Sequence, residues 1–183
     1  MPSDFSIRLA AQQIKHGGII AYPTDTIYGL GCDPYNADAV ENLNAIKRRP
    51  LNKQFILLVG HFDQIAPLIE INKEQQNLIE NTPESTSWIT EASSLAPAWL
   101  TDNANTLTVR ISQNDIVKKL CNALGHAIIS TSANLSGKKP ATNNLEIRKY
   151  FGNTLNYNLA TNEKLTARPS KIIRLCDNRI LRE

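Results

Sequence analysis

The chain has few cysteines and no long apolar run. Its 183 residues include three cysteines, Cys32, Cys121 and Cys176, which are odd in number and widely spaced. This spacing argues against a disulfide framework or a paired zinc motif and is typical of a reducing cytosol. The apolar runs are far shorter than the ~20 residues that cross a bilayer. Because the N-terminus also lacks the features of a secretory signal, we expect a cytoplasmic protein without membrane contact.

Several common functional motifs are missing as well. There is no GxxxxGK(S/T) phosphate loop, and no GxGxxG follows a predicted strand. The three histidines, His16, His61 and His126, lie outside the polar clusters described below and lack metal-ligand spacing. The net charge of +3 is mildly basic and compatible with an anionic ligand, but the chain has no dense basic stripe with interleaved aromatics. We therefore predict no dedicated metal site, and the basic charge is too weak by itself to assert nucleic-acid binding.

The composition and periodicity predict one α/β domain spanning residues 1–183. The contents of 42% hydrophobic and 20% charged residues are those of a globular protein. A strand, a helix and a strand follow one another near the N-terminus, which is the pattern of a βαβ unit. The middle, residues 61–105, predicts two short helices and a loop at 82–88. Helices are predicted at 6–16, 37–48, 115–124 and 142–151, and strands at 19–22, 55–59, 106–111, 127–130, 172–173 and 180–181.

Two of the predicted strands lead directly into small hydroxyl side chains. The strand at 19–22 follows two glycines and leads through Pro23 into residues 24–26, Thr-Asp-Thr, and then into 28–31, Tyr-Gly-Leu-Gly. The strand at 127–130 leads into Thr131, Ser132 and Asn134. Hydroxyls both donate and accept hydrogen bonds, and α/β proteins bind ligands where strands end. For either segment alone, an ordinary polar turn is an equally simple explanation.

Positive charge lies close to these clusters in the sequence. A predicted helix ends in Lys47-Arg48-Arg49-Pro50, with Lys53 shortly after, and Arg110 lies among threonines on one face of a strand. Phosphates need fixed positive charge, and an arginine fork pairs with a carboxylate. Cations also favour helix C-termini through the helix dipole, so the basic run alone leaves both explanations open. Phosphoryl and adenylyl transfer mainly require positioning and charge neutralisation, which these residues supply.

Four segments together resemble the YrdC-like family in its short bacterial form. They are Tyr22–Gly31 (YPTDTIYGLG), Lys47–Pro50 (KRRP), Thr108–Arg110 (TVR) and Ser130–Gly137 (STSANLSG). Their order and spacing are similar to the family over essentially the whole chain. The Lys-x-Arg and Ser-x-Asn signature of the family corresponds to Lys47/Arg49 and Ser132/Asn134.

The resemblance implies both a fold and an activity. The implied fold is a single α/β domain with a twisted, mostly parallel sheet and flanking helices around a basic concave cavity. The implied activity is a nucleotidyltransferase that joins L-threonine, bicarbonate and ATP into L-threonylcarbamoyladenylate and releases pyrophosphate. ATP is then a substrate, accompanied by Mg²⁺. The implied partners are proteins that transfer the threonylcarbamoyl group to tRNA, and contact with tRNA or other RNA is a further expectation.

The resemblance also assigns site residues by position. Lys47 and Arg49 are implied to be catalytic and to bind the nucleotide phosphates and the forming adenylate. The residues implied to bind threonine are Thr24, Thr26, Tyr28, Arg110, Ser130 and Ser170. The residues implied to bind ATP are Arg49, Lys53, Thr106, Ser132, Asn134, Pro140 and Arg182.

One segment departs from the family pattern. Relatives have a Trp-Pro-Gly-Pro-x-Thr loop before the Thr/Arg strand, whereas Thr82–Ser87 lacks the tryptophan and places Glu84 where glycine is expected. If this loop packs near the nucleotide, ATP affinity or activity would be weakened. A non-catalytic RNA- or nucleotide-binding member of the family is therefore the alternative. A carbamoyl-transfer domain of the hydrogenase-maturation type fits less well, because those larger chains have paired CxxC motifs and this chain has none.

Overall fold

A computed structural model describes residues 2–25, 27–48, 54–161, 165 and 170–183, which form α-helices around a ten-stranded sheet. The helices are α1 (Asp4–Lys15), α2 (Ala37–Lys47), α3 (Lys73–Asn81), α4 (Asp115–Leu124) and α5 (Asn144–Phe151). The strands are β1 (Ile20–Pro23), β2 (Tyr28–Gly31), β3 (Ile56–Val59), β4 (Ile69–Glu70), β5 (Thr86–Ala92), β6 (Thr106–Ile111), β7 (Ile128–Ser132), β8 (Tyr157–Asn158), β9 (Lys171–Arg174) and β10 (Arg179–Arg182). None of the described helices has the length and apolar character needed to cross a membrane.

Asparagine side chains begin four of the helices. The Oδ1 atom of Asn36 accepts from the backbone N–H of Ala39 at 3.0 Å, as predicted for the start of α2. The other three caps are Asn72, Asn114 and Asn143, before α3, α4 and α5. A short amide satisfies N–H groups that lack partners inside the first turn, so these residues fix where each helix starts.

The middle of the chain differs from its prediction. The two expected short helices correspond to two 3₁₀ turns, Phe62–Gln64 and Ala66–Leu68, and to α3. The predicted loop at 82–88 is wrong from Thr86 onward, because β5 begins there. Its first residues are polar and show no amphipathic alternation, so the strand is recognisable only through its partners. It pairs with β6 on one side and with β9 on the other.

The sheet has the order β10-β9-β5-β6-β3-β7-β2-β1-β8, with β4 beside β5. The α/β class with helices flanking a central sheet is confirmed. The pairing directions are more mixed than the mostly parallel sheet that the resemblance implies. Parallel pairs join β1 to β8, β3 to β6 and β5 to β9, and the other pairings of the described strands are antiparallel.

The strand–helix–strand unit predicted near the N-terminus is formed by β2, α2 and β3. The strand predicted at 19–22 is β1, and the stretch predicted to be a turn after it contains β2, which pairs antiparallel with β1 to form a hairpin. β7 lies between β2 and β3 and is antiparallel to both, so these two strands run in the same direction. The insertion of β7 accounts for most of the mixed character at the centre of the sheet.

Apolar side chains cover both faces of the central strands. On one face, α1 and α4 pack over Ile20, Leu58 and Ile128. The neighbouring residues Leu57 and Ile129 point to the opposite face and join a larger cluster there. Because successive side chains of a strand point to opposite faces, burial on both sides explains the continuous apolar sequence of β3 and the two isoleucines that begin β7.

The cysteines are expected to differ sharply in reactivity. Burial raises the pKa of Cys32 and the pKa of Cys121 to about 12, whereas the Cys176 side chain is exposed. Only the thiolate reacts with alkylating reagents. We expect iodoacetamide at neutral pH to modify Cys176 alone in the native chain and all three cysteines in urea, as measured by intact mass. Rapid native labelling of Cys121 would contradict the packing of α4 against β3.

Gly31 is expected to be the glycine that is least tolerant of a side chain. A Cβ atom there would lie 2.4 Å from the Ile129 carbonyl oxygen and 2.8 Å from Tyr22 Cε1. Backbone cannot yield as a flexible side chain does, so Gly31→Ala should cost about 3 kcal/mol or more in the free energy of unfolding. The matched control is Gly125→Ala, which meets no atom within 4 Å but has a φ of +85°. It should cost only about 1–2 kcal/mol. Urea unfolding that reverses this order would contradict the β2–β7 packing.

Candidate functional site

A cavity of about 330 Å³ lies against the sheet. Of the residues implied to bind threonine, Thr24, Arg110, Ser130 and Ser170 line it. Of those implied to bind ATP, Ser132, Pro140 and Arg182 line it. The chain segments that contribute these side chains are far apart in sequence and are brought together by the strand order. The volume is at the lower end of the ~300–1,000 Å³ typical of small-molecule sites.

The register of the sheet explains where the cavity begins. Ser130, Ile56, Thr108 and Ile89 are directly paired across β7, β3, β6 and β5, so they form one row on one face. The next row on that face, two residues along each strand, contains Ile128, Leu58 and Arg110. Ile128 and Leu58 lie beneath α1 and α4, whereas all four residues of the first row face the cavity. The cavity therefore occupies the part of the face that the apolar helix packing does not cover.

Arg110 is the charged residue at the boundary between these rows. It is only 4% exposed, and its Nη2 atom lies 3.7 Å from Oδ2 of Asp25. The side chain makes no hydrogen bond to any described residue, and its Nε is buried without a partner. Burial lowers the pKa of Arg110, opposed by the Asp25 carboxylate. An arginine remains charged at any physiological pH, so these donors favour an anionic ligand, and a carboxylate fits the guanidinium fork.

A second cationic group lies at the C-terminal side of the cavity. Arg182 donates from Nε and Nη2 to the Ser170 carbonyl oxygen at 3.0 and 2.8 Å. The hydroxyl of Ser170 lies 2.9 Å from that of Ser87, which is fully buried. Burial lowers the pKa of Arg182. The last strand of the sheet thereby fixes Ser170 at the wall of the cavity.

Lys47 lies beside the turn that follows β7 rather than in the cavity lining. The side chain is buried, and Nζ donates to the carbonyl oxygens of Ser132 and Asn134, the latter at 2.8 Å. The amide of Asn134 in turn accepts from the Ser132 hydroxyl at 2.6 Å and donates to the Lys138 carbonyl at 2.5 Å. Lys47, Ser132 and Asn134 are thus one hydrogen-bonded unit. The fold brings these three residues of the sequence signature together, and their hydrogen bonds fix the shape of the turn.

Besides Lys47 and Asn134, two further residues implied to be in the site lie outside the lining. Tyr28 is fully buried, and its hydroxyl accepts from the backbone N–H of Thr161 at 3.0 Å. The hydroxyl of Thr106 donates to Asp102 at 3.0 Å, and the Thr106 carbonyl accepts from Gln54 at 2.6 Å. Both therefore support neighbouring segments in this structure. Thr26, Arg49 and Lys53 lie outside the described residues.

Within the altered segment, Glu84 lies apart from the cavity, whereas Ser87 bonds to the lining residue Ser170. Glu84, which stands where the family has glycine, is 65% exposed at its side chain and pairs with Lys171 at 2.7 Å. This pairing lowers the pKa of Glu84 and raises that of Lys171. Glu84 is not among the residues that line the cavity. The replacement of glycine by Glu84 thus lies at the surface, just before β5.

Several lining residues were not predicted from the sequence. Thr108 and Thr131 line the cavity and both lie in hydroxyl-rich segments of the sequence. The alternation of β6 also places Thr108 on the same strand face as Arg110, so the sequence contained a signal for both threonines. Gln54 had no such signal, although its Oε1 accepts from the Thr108 hydroxyl at 3.1 Å. Ile56, Ile89 and Ile172 read as ordinary core residues and instead form the apolar wall. Only the register of the sheet identifies them.

The described residues contain no group of three or more histidine, cysteine, aspartate or glutamate side chains that could hold a metal ion. The carboxylate closest to the cavity arginine, Asp25, is already engaged by Arg110 and by the Ser112 hydroxyl at 2.8 Å. This part of the chain therefore does not fit a resident metal centre. Its chemistry is that of hydroxyl groups and guanidinium groups, which bind oxyanions.

The fold and the cavity define an α/β protein whose hydroxyl and guanidinium groups line one cavity at the sheet. The family model described as Telomere recombination, which covers Sua5, YciO and YrdC proteins, matches residues 12–183. The chain belongs to this Sua5/YciO/YrdC family. It is 37% identical over 181 residues to a threonylcarbamoyl-AMP synthase of Cellvibrio japonicus, with 96% of this chain and 94% of that protein covered. It is 39% identical to one from Nitrosococcus oceani, with 92% of each covered.

Solved structures agree with the family assignment. E. coli YciO has a TM-score of 0.90 at 26% identity, with 100% of this chain and 91% of that chain covered. P. abyssi Sua5 complexed with L-threonine has a TM-score of 0.89 at 28% identity. The match to Sua5 covers 95% of this chain and 52% of that chain, so this chain spans about half of the Sua5 length.

Proposed function

We propose that the chain is a threonylcarbamoyl-AMP synthase, which forms L-threonylcarbamoyladenylate and pyrophosphate from L-threonine, bicarbonate and ATP. The observation that supports this most directly is Arg110, a buried guanidinium with an unpartnered Nε, on the wall of a cavity lined by hydroxyls. A buried cation with unused donors is costly unless an anion completes its site. We assign this anion as an amino-acid carboxylate, which is supported by the similarity to proteins named threonylcarbamoyl-AMP synthase and to Sua5 complexed with L-threonine.

The proposed threonine site is the half of the cavity around Arg110. Arg110 pairs with the threonine carboxylate, and Thr24, Ser130 and Ser170 surround the rest of the amino acid. Thr24 is already oriented, because its hydroxyl donates to the Ile27 carbonyl at 2.8 Å. Ser170 is oriented by Arg182 and Ser87. Thr26 and Tyr28 retain their assigned roles as predictions, with Tyr28 acting through the segment at Thr161.

The proposed nucleotide site is the half that contains the turn after β7. Ser132 and Pro140 line the cavity there, and Lys47 and Asn134 hold the turn in its shape. Arg49 and Lys53 are proposed to neutralise the phosphates, and Arg182 and Thr106 to contact ATP. Mg²⁺ enters with ATP as part of the substrate, and no step is assigned to protein-bound metal.

The reaction proceeds in two steps on these residues. The neutral amine of threonine attacks the carbon of bicarbonate, with loss of water, or of CO₂, with loss of the amine proton, and either route gives a carbamate. A carbamate oxygen then attacks the α-phosphorus of ATP, the bond to the β-phosphate oxygen breaks, and pyrophosphate leaves. Because the carbamate is already anionic, the second step needs no protein base, and the protein contributes positioning and charge stabilisation. We further propose that the product passes to tRNA threonylcarbamoyl-transfer proteins in the cytoplasm; contact with tRNA or other RNA stays a prediction.

The proposal is tested by pyrophosphate release from the full chain with each substrate omitted in turn. Release should require L-threonine, bicarbonate and ATP together. Release that does not depend on threonine would contradict the proposal. ATP binding without any pyrophosphate release, under conditions where a synthase relative turns over, would instead favour a non-catalytic nucleotide-binding member of the family.

A further inference from the structure

Asp25 is the charged partner of Arg110 but lies outside the cavity lining. The two side chains are 10% and 4% exposed, so both charges are largely removed from water. Their closest atoms, Asp25 Oδ2 and Arg110 Nη2, are 3.7 Å apart. This distance is too long for the hydrogen bonds of about 2.7–2.9 Å that a charged pair usually makes. Asp25 therefore compensates the charge of Arg110 without occupying its hydrogen-bond donors.

The orientation of the Asp25 carboxylate is fixed on its other side. Oδ1 accepts from the hydroxyl of Ser112 at 2.8 Å, and Ser112 is fully buried directly after β6. The Ser112 hydroxyl also accepts from the backbone N–H of Asn114, the residue that caps α4. The carboxylate is thus tied by one oxygen to a rigid helix start. Its other oxygen, which has no hydrogen-bond partner among the described residues, faces the guanidinium.

We propose that Asp25 is a positioning residue that holds Arg110 charged and oriented, with its donors unused, for the carboxylate of the amino-acid substrate. The inference rests on the proposed function for the identity of that substrate. A direct bidentate Asp–Arg pair would consume the same fork that the ligand requires. An arginine without any carboxylate nearby would carry a larger desolvation cost in the empty site. The contact between Asp25 and Arg110 avoids both outcomes.

The test uses Asp25→Asn in the full chain, which keeps the size of the side chain and removes its charge. We expect the KM and the Kd for L-threonine to rise about tenfold, because Arg110 loses the carboxylate that orients it and its charge interaction with the substrate weakens. The kcat at saturating threonine and the Kd for ATP should stay within about twofold of wild type. Ser112→Ala is the second variant. It keeps both charges but removes the orienting bond and should raise the threonine KM by about threefold.

The matched control is Asp33→Asn, since Asp33 is another partly buried carboxylate but pairs with His126 instead of an arginine. It should leave the KM and the Kd for threonine and the Kd for ATP unchanged.

Two results would overturn the positioning role: an equal loss of threonine and ATP affinity in Asp25→Asn, or an unchanged threonine affinity in both Asp25→Asn and Ser112→Ala. If Asp25→Asn does not fold, Ser112→Ala decides the question alone. A wild-type chain that does not bind L-threonine overturns the proposed function and this inference together, whereas binding that Asp25→Asn leaves intact overturns the inference only.

Discussion

Replacing Arg110 with methionine is expected to lower threonine-dependent pyrophosphate release by about 10²–10³-fold, because one partner of a buried charge interaction is removed. Methionine retains much of the apolar stem but has no donor for a carboxylate. Asp25 is then left buried and without its cationic partner. The loss should appear mainly in kcat/KM for threonine, with a smaller change in the Kd for ATP. Steady-state pyrophosphate release at varied threonine concentration measures it.

Arg174→Met is the matched control for this prediction. Arg174 lies on β9 and is 41% exposed at its side chain, where it pairs with Asp177 three residues later. Exposed pairs of this kind contribute about 0–1 kcal/mol, so activity and thermal stability should stay close to wild type. If Arg174→Met and Arg110→Met lose activity equally, the loss reflects the removal of any positive charge from the sheet and assigns no specific role to Arg110. Near-normal threonine kinetics in Arg110→Met would remove this arginine from the substrate site.

Lys47→Met is expected to reduce turnover by about 10²-fold or more and also to lower stability by about 1–3 kcal/mol. From the sequence alone, we expect loss of activity with the fold intact. The structure adds the second effect, because Nζ donates to the carbonyl oxygens of Ser132 and Asn134, and both would lose this charged donor. The turn after β7 should then loosen at the nucleotide half of the cavity. Pyrophosphate release and urea unfolding, measured on the same preparation, separate the two effects.

Lys73→Met provides the comparison for Lys47. Lys73 begins α3, is exposed and makes only a 3.4 Å contact to Gln76, so both measurements should be unchanged. A Lys47→Met protein with full stability and greatly reduced turnover would mean that the lysine acts on the phosphates and not through the turn. Normal turnover would exclude the lysine from the mechanism altogether.

The parts of the fold predicted from sequence are those whose signal is local. Asn36 marked the start of α2, and the alternation from Thr106 to Ile111 identified β6 and the face shared by Thr108 and Arg110. The start of β5 at Thr86 was missed because a Ser/Thr-rich strand has no apolar period. Its identity depends on pairing with β6 and β9, which are distant in the chain.

In the candidate site, too, residues with a local sequence signal were recognised and residues without one were not. Arg110 and the hydroxyls of β7 were recognisable because residue type and position already indicate their chemistry. Gln54 and Asp25 were not recognised as site residues, since their roles depend on Thr108 and Arg110, more than fifty residues away in sequence. Tyr28 shows the opposite case: the motif suggests direct contact with a ligand, whereas its hydroxyl supports the segment at Thr161.

The most direct measurement of the central claim is the mass of the adenylate that the full chain forms from L-threonine, ATP and ¹³C-labelled bicarbonate. We predict threonylcarbamoyl-AMP that contains one labelled carbon, together with an equal amount of pyrophosphate. The label should be lost when unlabelled bicarbonate is supplied, and the product should be absent without threonine. An adenylate of threonine without the labelled carbon, or ADP and phosphate in place of AMP ester and pyrophosphate, would contradict the proposed reaction.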